Sequence, residues 1–237
     1  MEQVTEVPER VLVVAAHPDD AEMGCAGTVA KWVAAGAKAY YLITTNGDKG
    51  TDDREITAEE LAAIRDKEQR AAAAVLGVSE VVILPRHDGE LEYTLDLRGD
   101  VVRWIRTWKP VAVFTHDPTV IISDFGVNHA DHRRTGEVTV DAVYPFARGH
   151  LQYPEHLAEG LETHRVDQMY FWGAREQNCW VDISDTFEKK IEATRRHVSQ
   201  FGDPERVGTM SRERAKKLGE ENGVAYAESF RRLVLRH

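Results

Sequence analysis

The chain lacks the features that mark secreted, membrane-spanning or nucleic-acid-binding proteins. Its two cysteines among 237 residues are too few for a disulfide framework. No apolar run approaches the roughly 20 residues that a transmembrane helix needs. Residues 1–10 carry glutamates where a signal peptide would carry positive charge and an apolar core. The net charge of −10, with no basic tract to offset it, disfavours binding to nucleic acid or anionic membranes. We therefore expect a cytoplasmic protein.

The glycine pattern G-x-G-x-x-G is also missing after the first predicted strand, which leaves little support for an NAD-type site. Hydrophobic residues make up 42% of the chain and charged residues 30%, as in an ordinary globular protein. The length allows a substantial core. No internal repeat, low-complexity tract or linker interrupts the sequence, so we predict a single domain over residues 1–237.

Strand-like runs alternate with helical patterns in the first half of the chain. The runs that predict strands are Val11–Ala16, Ala39–Thr45, Val81–Leu84 and Val111–Thr115. The patterns that predict helices are Cys25–Ala35, Thr57–Leu76 with a capping box at Thr57, and Leu95–Trp108. Such alternation implies right-handed crossovers, an α/β fold and a mostly parallel sheet.

The second half is less regular. The patterns there predict helices over Asp131–Phe146 and Asp185–Phe201, a charged surface helix over Ser211–Glu220, and short strands over Met169–Trp172 and Trp180–Ile183. We expect this last third of the chain to pack onto the sheet.

Reactive side chains gather directly after the predicted strands. His17, Asp19 and Asp20 follow the first strand, and a helix N-cap would use only one of them. The two ionisable residues that a cap would not use indicate a metal site, a proton transfer or both. The other strand ends carry Asn46 and Asp48, then Arg86, His87 and Asp88, and finally His116 and Asp117. Asp117 is a candidate substrate-binding residue at this edge, although a turn role fits its position equally.

A second cluster, residues 128–132, contains two histidines spaced about one helical turn apart. If a helix begins here, His129 and His132 can face the same cavity. Two imidazoles and a carboxylate, combined with His17 and Asp20, can form a three-ligand metal site with an open position. Catalytic zinc uses such a set, and so does non-haem iron, so the ligand types leave Zn²⁺ and Fe²⁺ both open.

The chain resembles the LmbE/PIG-L family of metal-dependent de-N-acetylases, which remove acetyl from N-acetylglucosamine-type sugars. Two motifs carry the resemblance: the segment Ala16–Thr28, which begins Ala-His-Pro-Asp-Asp, and the His-x-Asp-His pattern at His129–His132. Weaker matches are Arg65–Glu68, Leu76–Val78, Asp88–Leu91, Ser199–Phe201 and Tyr226–Glu228.

The resemblance implies a Rossmann-like three-layer αβα fold and a catalytic zinc ion. It assigns the metal ligands to His17, Asp20 and His132. Relatives often form trimers or hexamers, so the resemblance also implies a homo-oligomer. The substrate implied is an N-acetylated sugar or glycoconjugate. The loops Asp48–Arg54 and Pro118–Val127 are expected to shape its pocket.

The resemblance further assigns catalytic roles. Asp19 is implied to be the general base, and His129 an imidazolium that stabilises the oxyanion. Asp131 is implied to orient His129, and Arg65 matches a substrate-contacting arginine. Either Asp19 or His129 would return the proton to the leaving amine.

Three functions remain open from the sequence. The first is hydrolysis of an N-acetyl group on an amino sugar, and the second is an amidase reaction on a thiol-sugar conjugate at the same metal site. The third is a non-catalytic sugar- or metal-binding protein. Asp19 and His129 disfavour the third, because metal binding requires neither residue.

Overall fold

The chain forms an eight-stranded sheet that is covered by helices on both faces. The computed structural model describes residues 1–123 and 126–236, with backbone alone at residues 204–207. In chain order the elements are β1 Glu2–Gln3, β2 Arg10–Ala15, α1 Asp20–Ala34, β3 Lys38–Ile43, α2 Ala58–Leu76, β4 Glu80–Ile83, α3 Leu95–Trp108, β5 Ala112–His116, β6 Ile122–Ser123, β7 Gly126–Val127, α4 Ala130–Val143, a 3₁₀ turn Phe146–Arg148, α5 Pro154–Ala158, β8 Gln168–Trp172, β9 Cys179–Asp182, α6 Phe187–Thr194, α7 Pro204–Asn222 and β10 Ala227–Val234.

The strand order across the large sheet is β4-β3-β2-β5-β8-β10-β9-β1. The strands from β4 to β8 are parallel, and Val13 at the centre pairs with Tyr41 on one side and Phe114 on the other. Strand β10 runs antiparallel to both β8 and β9. The predicted α/β fold with a mostly parallel sheet is therefore confirmed.

Both faces of the central strand are buried, as expected for a parallel sheet between two helical layers. Val11, Val13 and Ala15 of β2 belong to the core that α1, α2 and α6 cover. The alternate residues Leu12 and Val14 belong to the core under α3 and α4. This division makes the fold the three-layer αβα arrangement.

The start of α1 differs from the sequence prediction. The helix begins at Asp20, five residues before the predicted start at Cys25. Asp19 precedes it with φ of 124°, a backbone conformation that residues with a side chain adopt rarely. The chain therefore passes from β2 into α1 through one tight turn, which holds the acidic residues of the first motif in place. The capping box of α2 is present as predicted, with Thr57 and Glu60 bonded reciprocally.

The second half departs further from the predicted elements. The helix predicted over Asp185–Phe201 ends at Thr194, because tight turns after it bring His197 into the interior. The predicted surface helix lies in the C-terminal part of the longer α7. Strand β10 was not predicted, since its glutamate and two arginines interrupt the apolar run that marks a buried strand.

A buried ion pair anchors α1 to the rest of the fold. Glu228 of β10 accepts hydrogen bonds from the backbone N–H groups of Gly27 and Thr28, at 3.1 and 2.8 Å. The Lys190 ammonium of α6 lies 2.6 Å from the same carboxylate and also donates to the Met23 carbonyl. Both charged side chains are 6% exposed, so each charge requires the opposite charge to offset the cost of burial.

Replacing Lys190 by methionine should therefore lower the free energy of unfolding by about 3–5 kcal/mol, because the Glu228 charge is left buried without a partner. Urea denaturation of the Lys190→Met variant measures the change. Lys189→Met, at the exposed neighbouring position, is the matched control and should fall within about 0.5 kcal/mol of the parent. Equal free energies of unfolding of Lys190→Met and Lys189→Met would show that the ion pair does not stabilise the fold.

Candidate active site

The predicted site residues converge where the strand order reverses. From β2 the chain proceeds outward through β3 and β4, whereas β5 and β8 lie on the other side of β2. In open α/β sheets the carboxyl ends of the strands at such a reversal border a crevice that binds ligands. His17 follows β2, His116 ends β5, and His132 lies in the first turn of α4. The fold thus brings together residues more than a hundred positions apart.

His17, Asp20 and His132 form a group whose potential ligand atoms all lie within 4.8 Å of one another. Nε2 of His132 lies 3.2 Å from Asp20 Oδ1, and Nδ1 of His17 lies 3.3 Å from Asp20 Oδ2. Nδ1 of His132 lies 3.0 Å from the amide oxygen of Asn128, which accepts its proton. The lone pair at Nε2 of a neutral His132 therefore faces a carboxylate oxygen. Two acceptors so close together require a proton or a cation, and the donor set fits a divalent metal.

His17 is held from its other side by two carboxylates. Its Nε2 lies 3.0 Å from Asp88 Oδ1 and 3.3 Å from Asp131 Oδ2. Burial opposes a charged ring, but hydrogen bonds to Asp131, Asp20 and Asp88 overcome it and raise the pKa of His17 to about 12. The proton on Nε2 is fixed by this pair, which leaves Nδ1 for a metal. Carboxylates commonly orient metal-bound histidines in this way.

A second overlapping group consists of His17, Asp88, His129 and Asp131. Here both carboxylates already share the Nε2 proton of His17, so we assign this group to support of the ring and not to a cation. Asp88 was not among the predicted site residues. Its position in the loop after β4, at the same sheet edge as His17, is the signal that would have identified it.

Asp131 has a different partner from the one that the resemblance implies. Its carboxylate is fully buried and accepts hydrogen bonds from the N–H groups of Gly89, at 2.7 Å, and Leu91, at 3.3 Å. Its carboxylate hydrogen-bonds to His17, whereas its backbone N–H bonds to the ring of His129. Asp131 therefore orients the metal-facing histidine and fixes the loop that carries Asp88.

His129 lies at the start of α4 with a half-exposed side chain. Its Nδ1 accepts the N–H of Asp131 at 3.2 Å, so the ring proton sits on Nε2, which is 4.0 Å from Asp88 Oδ1. Burial and the positive charge of His17 lower the pKa of His129. These contacts favour a neutral ring instead of the expected imidazolium. A neutral ring still offers Nε2–H as a donor to the cavity.

Asp19 lies beside the metal group but outside it. Burial, together with repulsion from Asp20, raises the pKa of Asp19 to about 7. Its Oδ2 lies 3.2 Å from Nη2 of Arg65, and its N–H donates to the side-chain oxygen of Gln69 at 3.0 Å. A carboxylate with a pKa near neutrality can both take up and return a proton.

Arg65 contacts the chain itself. Its guanidinium is 3% exposed and donates to the carbonyls of Pro18, at 2.7 Å, and Gly47, at 2.9 Å, as well as to Asp19. These contacts hold Asp19 and the turn after β3 together. Substrate binding by Arg65 stays a prediction.

His116 supports Asp20 and His132, a role that the sequence did not specify. Its Nε2 lies 3.4 Å from Asp20 Oδ2, and its ring stacks on that of His132 with centroids 4.2 Å apart. Trp172 donates its indole N–H to Nδ1 at 3.1 Å. Burial lowers the pKa of His116 to about 4, so the ring is neutral.

Two cavities flank this region. One of about 650 Å³ is lined by residues 49–53 with Ser199 and Gln200, within one of the predicted pocket loops. The other, of about 440 Å³, is lined by Asp117–Thr119 and by residues of α4, β8 and β10. Asp117 accepts hydrogen bonds from the N–H and hydroxyl of Thr119, so its turn role is present and substrate binding stays a prediction. Residues 124 and 125 of the second predicted loop lie outside the described residues.

The fold and this centre define an α/β protein with a carboxylate–histidine metal site at the carboxyl edge of its sheet. The chain belongs to the PIG-L family, whose model, described as GlcNAc-PI de-N-acetylase, matches residues 12–143. Among the described residues, no helix combines the length and apolar character of a membrane span.

Similar proteins support this membership over nearly the whole chain. The diacetylchitobiose deacetylase of Thermococcus kodakarensis is 36% identical over 227 residues, which cover 94% of this chain and 82% of that protein. The structure of N,N'-diacetylchitobiose deacetylase from Pyrococcus horikoshii superposes with a TM-score of 0.88 at 34% identity, covering 96% and 84%. The mycothiol S-conjugate amidase of Streptomyces coelicolor is 28% identical over 250 residues, with 83% of each chain covered.

Removing one member of the ligand group should abolish metal binding. Loss of a group that only supports a ligand typically lowers metal affinity roughly 10–100-fold. In His132→Ala the affinity for the metal should fall by more than this. Elemental analysis of the purified variant measures the metal content. His150→Ala, at an exposed position, should keep the metal content of the parent. Full occupancy in His132→Ala would contradict the ligand role.

Metal binding should also release a proton. At pH 7 the raised pKa of His17 keeps both ring nitrogens protonated in the metal-free protein, and a cation at Nδ1 must displace one of them. Titration calorimetry in two buffers of different ionisation enthalpy should show about one proton released from this group. Asp88→Asn removes one of the negative charges that stabilise the doubly protonated ring, so it should lower the pKa of His17 and reduce the number of protons released. The same number in both proteins would contradict the assignment of Asp88.

Proposed function

We propose that this protein is a metal-dependent de-N-acetylase that hydrolyses the acetamido group of N-acetylglucosamine-type sugars. One observation carries the proposal: Asp19, a carboxylate with a pKa of about 7, lies next to the ligand group but is not part of it. A protein that only bound metal or sugar would not need such a group. The family membership and the similarity to two deacetylases of diacetylchitobiose support the substrate class.

We further propose zinc as the metal, held by His17, Asp20 and His132. Bound there, zinc would polarise the amide carbonyl and lower the pKa of water towards about 7. Fe²⁺ suits the same ligand types and is the alternative.

The residues around the metal site supply the base, the oxyanion donor and the groups that orient them. Asp19 takes the proton of the attacking water, and Arg65 keeps one oxygen of that carboxylate fixed. The Nε2–H of His129 is the donor available to the developing oxyanion, since Nδ1 is engaged by the backbone. Asp88 and Asp131 keep the His17 ring in one orientation throughout. The proton then passes from Asp19 to the leaving amine. A carboxyl group whose pKa is near neutrality is suited to this transfer.

An amidase reaction on a thiol-sugar conjugate is the second candidate. The similarity to the mycothiol S-conjugate amidase favours it, and the same residues would act on its amide bond. The residues that distinguish the two substrates are expected in the loop at residues 49–53, which lines the larger cavity. A single domain, a cytoplasmic location and a trimeric or hexameric assembly remain predictions from the sequence.

Asp19→Asn should keep its metal and lose most of its turnover, since a positioned base contributes about 10²–10⁴-fold. The measurement is release of acetate and free amine from N-acetylglucosamine, diacetylchitobiose and an N-acetylated thiol-sugar conjugate. Elemental analysis of the same sample reports the metal.

Each outcome decides between the candidates. Release from the acetylated sugars alone supports the deacetylase, and release from the conjugate alone supports the amidase. Unchanged turnover in Asp19→Asn would exclude Asp19 as the base. No release from any member of the panel by the metal-loaded parent would favour a non-catalytic binding protein.

A further inference from the structure

A chain of buried polar groups extends from the backbone N–H of Asp19. The Asp19 N–H donates to Oε1 of Gln69 at 3.0 Å. The Gln69 amide nitrogen lies 3.1 and 3.2 Å from the two carboxylate oxygens of Glu22. Nε2 of His197 lies 3.1 Å from Glu22 Oε2. Gln69 and Glu22 are fully buried and His197 is 1% exposed.

The chemistry of the end groups fixes the orientation of every member of this chain. A backbone N–H only donates, so the oxygen of Gln69 must face Asp19. An ionised carboxylate only accepts, so the nitrogen of Gln69 must face Glu22. The His197 nitrogen that faces Glu22 therefore carries a proton. Reversing the Gln69 amide would break the hydrogen bonds at both ends.

The group that this chain holds is conformationally unusual. Asp19 has φ of 124°, outside the regions that residues with a β-carbon normally adopt. Such a conformation persists only where the surroundings over-determine it. Gln69 comes from α2, Glu22 from α1 and His197 from the turns after α6, so three separate segments fix one backbone N–H.

We propose that Gln69 is a positioning residue for Asp19, holding the Asp19 turn so that the carboxylate meets the substrate at the metal site. Glu22 and His197 keep the Gln69 amide in the one orientation that can do this. The proposal rests on the proposed role of Asp19 as the base. Gln69 itself contacts neither the ligand group nor Arg65 among the described hydrogen bonds.

The first test is Gln69→Leu, which keeps the side-chain size and removes the acceptor. A small displacement of a catalytic group can cost up to about 100-fold in rate. We expect kcat to fall about 10–100-fold, with KM within about twofold and metal content unchanged. Lys67→Gln, at an exposed position of the same helix, is the matched control and should keep the kcat of the parent.

The second test swaps the amide and the carboxylate between positions 69 and 22. Gln69→Glu alone sets two carboxylates against each other in a buried site and should lower kcat at least as far as Gln69→Leu. Adding Glu22→Gln restores a donor facing an acceptor: the carboxylate at position 69 accepts from Asp19 N–H and from the amide at position 22. That amide oxygen accepts from His197. We expect the double variant to recover most of the lost kcat.

Rescue by the exchange, read as kcat on folded and metal-loaded protein, supports the positioning role. A parent-like kcat in Gln69→Leu would overturn it, and so would a double variant no better than Gln69→Glu. If Gln69→Leu does not fold, the comparison of the single and double exchange variants decides. Asp19→Asn in the same assay separates the two proposals: if it retains activity, the base assignment fails regardless of Gln69.

Discussion

The Nε2–H of His17 is shared between Asp88 and Asp131, and the rest of the centre depends on this interaction. It determines which imidazole nitrogen faces Asp20, and which one keeps its proton when a cation binds. A buried histidine without these partners would be neutral and free to present either nitrogen. The two carboxylates are themselves fixed, because Asp131 holds the backbone of the loop that follows Asp88. Asp88 and Asp131 together thus fix the orientation of the His17 ring.

The sheet topology makes this arrangement possible. Parallel strands end at one edge, and the reversal at β2 and β5 opens a crevice between their loops. The same edge receives residues from β4, from the start of α1 and from the start of α4. Charge is concentrated here because the carboxylates and imidazoles lie within hydrogen-bond reach and compensate one another. The raised pKa of Asp19 is the exception, since its cationic neighbours Arg65, His197 and His17 do not cancel burial and the charge of Asp20.

Much of this could be predicted from the sequence, and the failures have physical causes. Apolar β-branched runs identified the parallel strands, of which β2 is buried on both faces. The capping box at Thr57 marked the start of α2. β10 was not predicted because its polar residues include Glu228, whose buried contact with Lys190 only the folded chain creates. The ligand group followed from two motifs. The partners of Asp131, the lowered pKa of His129 and the contribution of Asp88 depend on distances between loops, which residue spacing does not encode.

The antiparallel strand β10 has a consequence for the order of assembly. It follows every other strand of the sheet along the chain, yet it lies between β8 and β9. It also carries Glu228, which anchors the helix that begins with Asp20. During synthesis from the N-terminus, the parallel half of the sheet can pair while this gap is still open. The helix bearing Asp20 cannot gain this anchor before β10 is synthesised, so a nascent chain stalled before β10 would contain His17, Asp20 and His132 while α1 lacks its bonds to Glu228.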